Sequence, residues 1–107
     1  MNSIVLKSAQ LSDGRVVDIK IIDAKIADIG TDLTANRVID CSGLIALAGF
    51  VDLHTHLREP GYEASETVLT GTQSAALGGF TAVHAMANTD PIADNAGVVE
   101  QIRSLGI

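Results

Sequence analysis

A chain of 107 residues can form one small domain, and 47% hydrophobic content with only 3% aromatic residues means a core of Val, Ile, Leu and Ala. Such a composition suits close packing of strands and helices and excludes an aromatic base-stacking platform. Thirteen acidic against 7 basic residues give a formal net charge of -6, which repels phosphate backbones and anionic lipid and argues against nucleic acid and membrane partners.

From the start of the chain, MNSIVLKSAQ has no basic region followed by a long apolar stretch, so no secretory signal is expected. Ser3 to Lys7 alternates as a strand does, and Ser12-Asp13-Gly14 is a turn signal. Val16 to Ile22 is rich in β-branched residues, and Asp23-Ala24 allows a tight turn into Lys25 to Ile29. A polar stretch, 30–37, leads to Val38 to Asp40 and the apolar Leu44 to Leu47. Short strands at this spacing predict a small β-sandwich or an antiparallel sheet over residues 1–48. Cys41, the only cysteine, excludes an internal disulfide and reads as a buried small hydrophobe in a reducing compartment. The longest apolar run, Leu44 to Val51, falls far below the ~20 residues of a membrane helix. The expectation is a cytoplasmic protein.

The rhythm changes at residue 49. Phe50 to His56 reads as a strand and Ser65 to Leu77 as a helix capped by Ser65, with Gly78-Gly79 as its stop. Gly71 inside that helix costs ~1 kcal/mol against Ala. Phe80 to Met86 is a second strand, and Asn95 to Leu105 a second helix with Asp94 as cap. This β-α-β-α order predicts an α/β fold with parallel strands over residues 49–107. Two such units cannot close a barrel or cover both faces of their sheet, so further chain or self-association is expected.

The segment FVDLHTHLREPG, residues 50–61, carries the chemistry. Side chains alternate along a strand, so Phe50, Asp52, His54 and His56 share one face. Two imidazoles two residues apart at a strand's C-terminal end can converge on one divalent cation. Asp52 has two readings: a support that orients a histidine, or a carboxylate satisfied by backbone donors. Arg58 can grip a substrate carboxylate through paired hydrogen bonds, or form a surface salt bridge with Glu59 or Glu63. After the second strand, MANTDP sets Asn88 at the same rim, as a substrate contact or as a turn residue ahead of Asp90-Pro91. His84, in mid-strand, reads as a hydrogen-bonded core histidine.

FVDLHTHLREPG followed by ETVLTGTQSAALGGFTAVHAMANTDP resembles the dihydroorotases of the amidohydrolase superfamily, and IADIG resembles the family's opening segment. The histidine pair is shared by many amidohydrolases; Arg58 together with Asn88-Thr89 is more specific, since hydantoinases usually lack the arginine and allantoinases typically carry Asn there. The resemblance implies a (β/α)₈ barrel of TIM type, of which residues 49–107 would be the first two units, and a small β-sandwich to which residues 1–48 contribute. It implies that His54 and His56 bind Zn²⁺, one or two ions per complete site, and that Arg58 and Asn88 hold the substrate carboxylate. Asp52 would support the histidines.

The implied reaction is the reversible interconversion of dihydroorotate and N-carbamoyl-L-aspartate in pyrimidine biosynthesis, with zinc lowering the pKa of bound water to ~7 so that hydroxide attacks the ring amide. No catalytic general base has a counterpart in this stretch, so the isolated stretch is expected to be inactive. The rivals are a related cyclic amidohydrolase of allantoinase or hydantoinase type, and a catalytically silent scaffold serving a partner such as aspartate transcarbamoylase. A homo-oligomer is the expected assembly. Ala48 and Ala87 stand where the family usually has Pro, and the second change frees the backbone ahead of Asn88.

Overall fold

The computed structural model describes residues 2–106, in two compact units, Met1–Ala48 and Gly49–Ile107. The first unit holds β1 (Ser3–Gln10), β2 (Val16–Ile22), β3 (Lys25–Gly30) and β4 (Arg37–Asp40). They form one mixed sheet in the order β3-β2-β1-β4. The two hairpins, β1–β2 and β2–β3, are antiparallel, whereas β4 returns to lie parallel to β1. Among the described residues this stretch forms one sheet, and the parallel β4–β1 pair makes it mixed where an antiparallel sheet was the alternative expected. Polar residues 30–37 give β4 enough chain to cross back instead of turning tightly.

Val5, Ala9 and Ile19 form the buried centre of this sheet. Beside them β1 carries a bulge: Leu6 pairs with Ile19 and Ala9 with Val17, so Lys7 and Ser8 together oppose Asp18. Ser8 takes φ +60° there. The buried Asp18 carboxylate accepts the Ser8 amide at 3.0 Å, the Leu33 amide at 3.1 Å and Lys7 Nζ at 2.7 Å. Cys41, just past β4, is half-buried, where full burial was expected.

The second unit runs β5 (Phe50–Thr55), α1 (Val68–Leu77), β6 (Phe80–Ala85) and α2 (Ala96–Leu105). β5 and β6 pair in parallel, and the Phe50 and Phe80 rings pack 5.7 Å apart across the pair. Both helices start later than their sequence signals suggest. Ser65 and Glu66 are drawn into a turn by donating to the Tyr62 carbonyl, and Thr67 caps α1 in a reciprocal box with Thr70. Asn95, not Asp94, caps α2, its Oδ1 accepting from Gly97 and Val98. No helix among the described residues is long and apolar enough to cross a membrane.

Candidate functional site

Parallel pairing brings the C-terminal ends of β5 and β6 to one edge. The Met86 amide donates to the Thr55 carbonyl at 2.8 Å, so the residues that follow each strand emerge side by side. His56 is the first residue beyond β5 and Asn88 the third beyond β6.

His54 and His56 lie on one side of β5, ring centroids 5.1 Å apart and planes at 61°. His56 Nδ1 is 2.8 Å from Asn88 Oδ1. An amide oxygen only accepts, so the ring nitrogen facing it carries the proton, and in the neutral ring Nε2 is left with a lone pair. The Asn88 Nδ2 group then remains a donor for another ligand.

Two imidazoles on one tetrahedral zinc, each bonded at ~2.0–2.1 Å, have ring centres about 5 Å apart. The observed separation fits that arrangement, so the pair suits half of a zinc shell. Among the described residues no cluster of three or more His, Cys, Asp or Glu could hold an ion. His54 and His56 would hold it together with ligands from outside this stretch.

Asp52 meets the backbone, not an imidazole: its Oδ1 accepts the His54 amide at 2.9 Å. That bond holds the Asp52 carboxyl below its ordinary value. The same contact fixes the backbone leading into His54.

Arg58 is exposed, with φ +64°. Glu59 donates its amide to the Leu57 carbonyl at 2.8 Å, closing a three-residue turn around the arginine. Neither neighbouring glutamate pairs with the guanidinium. Glu59 Oε2 accepts the Val68 amide at the start of α1 (2.7 Å), and Glu63 Oε1 accepts the Gly61 amide (2.8 Å). Among the described residues Arg58 forms no ion pair. The structure therefore brings His54, His56 and Asn88 together and sets Arg58 two residues beyond His56, without a hydrogen bond to any of them.

The loops after β5 and β6 are also joined to each other. The Asp90 amide donates to the Pro60 carbonyl at 3.0 Å, and Gly61, at φ +103°, lies against Asp90. Thr89 is buried and donates its hydroxyl to the Pro91 carbonyl at 2.8 Å. The sequence offered no sign of these roles for Glu59, Gly61 and Thr89. His84 on β6 is exposed, which corrects the expected core histidine: the face of the strand that carries it has no covering layer among the described residues.

The model of the family described as "Dihydro-orotase-like" matches residues 43–105. A dihydroorotase of Leifsonia xyli subsp. xyli is 60% identical over 104 residues, covering 95% of this chain and 24% of that protein. One of Streptomyces coelicolor is 51% identical over 108 residues, covering 99% of this chain and 25% of the relative. Among solved structures, L-hydantoinase (dihydropyrimidinase) from Arthrobacter aurescens superimposes with a TM-score of 0.84 at 28% identity, over 99% of this chain and 25% of its own. A D-hydantoinase does so with a TM-score of 0.77 at 28% identity, over 96% of this chain and 24% of its own. The chain thus spans about a quarter of the length of the relatives it matches.

Proposed function

The chain belongs to the dihydro-orotase-like family, and we propose that it supplies the first metal ligands and the substrate-carboxylate grip of a dihydroorotase. The observation that carries this reading is the convergence of the His54 and His56 rings at 5.1 Å, with Asn88 fixing the proton on His56. The two βα units would open a (β/α)₈ barrel. In support, Phe50 and Val51 of β5 are 50% and 53% exposed, so apolar side chains on both faces of the small sheet call for further layers.

Zinc, when bound, supplies Lewis acidity at the scissile ring amide and a nucleophile at neutral pH. The residues of this stretch do the rest of their work by position. His54 and His56 would hold the ion through ring nitrogens; the Asn88 contact orients the His56 ring, and Asp52 steadies the backbone at His54. Arg58, free of Glu59 and Glu63, offers its fork of N–H donors to the substrate carboxylate. Asn88 Nδ2 offers one more. The substrate is then dihydroorotate in one direction and N-carbamoyl-L-aspartate in the other.

A hydantoinase-type activity is the second reading, favoured by the two solved structures above. Arg58 separates the two, since hydantoin carries no carboxylate for a guanidinium to grip. The test is to assay the full-length protein on dihydroorotate, hydantoin and allantoin, before and after chelation. Turnover of dihydroorotate that chelation abolishes and zinc restores is the expected result; turnover of hydantoin alone would transfer the assignment.

A further inference from the structure

Arg58 sits in a backbone conformation that a non-glycine residue does not hold unaided. With φ at +64° and the Glu59 amide bonded to the Leu57 carbonyl, it centres a tight turn of the strained kind. Such a turn persists only where its flanks are fixed. On one side Leu57 is buried at 6% exposure, its side chain against Gly71 of α1. On the other, the Glu59 carboxylate is tied to the first amide of α1 at 2.7 Å, and Pro60 is buried. An anionic side chain there also satisfies a helix N-terminus that would otherwise need water or another cap.

We propose that Glu59 is a positioning residue for substrate binding: by clamping the Arg58 turn onto the N-terminus of α1, it fixes the direction in which the guanidinium points. Without the clamp the turn relaxes to a negative φ, and the Cα–Cβ bond of Arg58 swings to another side. The same clamp bears on the second loop, because Pro60 and Gly61 hold Asp90, two residues after Asn88. Glu59 thus aims a residue it does not touch.

This inference rests on the reading of Arg58 as the carboxylate contact, and the experiment separates the two. In the full-length protein, Arg58→Ala, Glu59→Ala, Glu59→Asp and Glu59→Gln are compared by KM and kcat for dihydroorotate and by thermal unfolding. Glu59→Ala is expected to raise KM about 10-fold or more while kcat changes much less. Glu59→Gln, whose amide oxygen can still accept the Val68 proton, restores most of the loss. Glu59→Asp keeps the charge but is too short to reach, and raises KM as Ala does; it serves where the Ala variant fails to fold. If Arg58→Ala raises KM and a folded Glu59→Ala or Glu59→Asp does not, the role of Glu59 is refuted alone. An unchanged KM in Arg58→Ala removes the carboxylate assignment and the proposal with it.

Discussion

Asn88 Oδ1 accepts a hydrogen bond from His56 Nδ1 at 2.8 Å, across two loops that follow different strands. The bond decides which nitrogen of this half-buried imidazole is free, and so gives the ring a fixed direction in which it could meet a metal. Asn88→Ala in the full-length protein is expected to weaken zinc binding about 10-fold or more, measured by competition with a chromophoric chelator. A variant that holds zinc as tightly as the parent would mean that His56 needs no such partner.

Gly61 joins the same two loops from the other side. At φ +103° an L side chain is strained, and a Cβ would come 2.5 Å from the Asp90 carbonyl oxygen, a backbone atom that cannot swing aside. Gly61→Ala should therefore destabilise the protein by about 2 kcal/mol or more, read from urea unfolding. It should also disturb Asn88, so that zinc affinity falls alongside stability. Loss of stability with zinc affinity intact would show that the two loops are not mechanically linked.

Much of this site was legible because it is local. The period-two pattern of residues 50–56 placed both histidines on one face, and the β-α-β-α rhythm placed Asn88 on the same rim. What was not legible depends on contacts between segments. Glu59 reads as a possible salt-bridge partner of Arg58 until α1 is seen to begin at Val68, nine residues later, with its first amide facing the carboxylate. Ser65 reads as a helix cap, and fails because the Tyr62 carbonyl competes for its amide. The mixed sheet of the first unit was hidden for a similar reason, since the parallel return of β4 is set by pairing with β1 and leaves no local pattern.

Gly71 is a case where propensity gives the wrong sign. Replacing a mid-helix glycine by alanine usually stabilises by about 1 kcal/mol. Here a Cβ would lie 2.8 Å from Leu57 Cδ2, and Leu57 is buried beside the Arg58 turn. Gly71→Ala is expected to lower stability by about 1 kcal/mol instead, as overpacking outweighs the helix gain. KM for dihydroorotate should rise with it, because Leu57 must move. A stabilised variant with unchanged KM would show that the Leu57 side chain has room to turn away.

In the first unit, Asp18 links stability to pH. Its carboxyl is held below its ordinary value of 3.8, first by the hydrogen bond from Lys7 and then by the Ser8 amide. The folded state therefore binds fewer protons than the unfolded one as the solution is acidified. The stabilisation is complete above the unfolded value and is lost as pH falls through the lower, folded one. Lys7 moves the opposite way: the same bond raises it above 10.5, so its contribution is complete below that value and disappears as pH rises beyond the folded one. Lys7→Met leaves Asp18 with backbone donors alone. The variant should be less stable at pH 7, with a smaller drop in unfolding midpoint between pH 7 and pH 3 than the parent shows. Because Asp13, Asp40, Asp52, Glu63 and Glu100 are also held low and are common to both proteins, the difference between the two curves isolates this pair. Parallel acid curves would show that the Lys7–Asp18 contact carries no net linkage, and that the bulge at Ser8 is held by its amide bond alone.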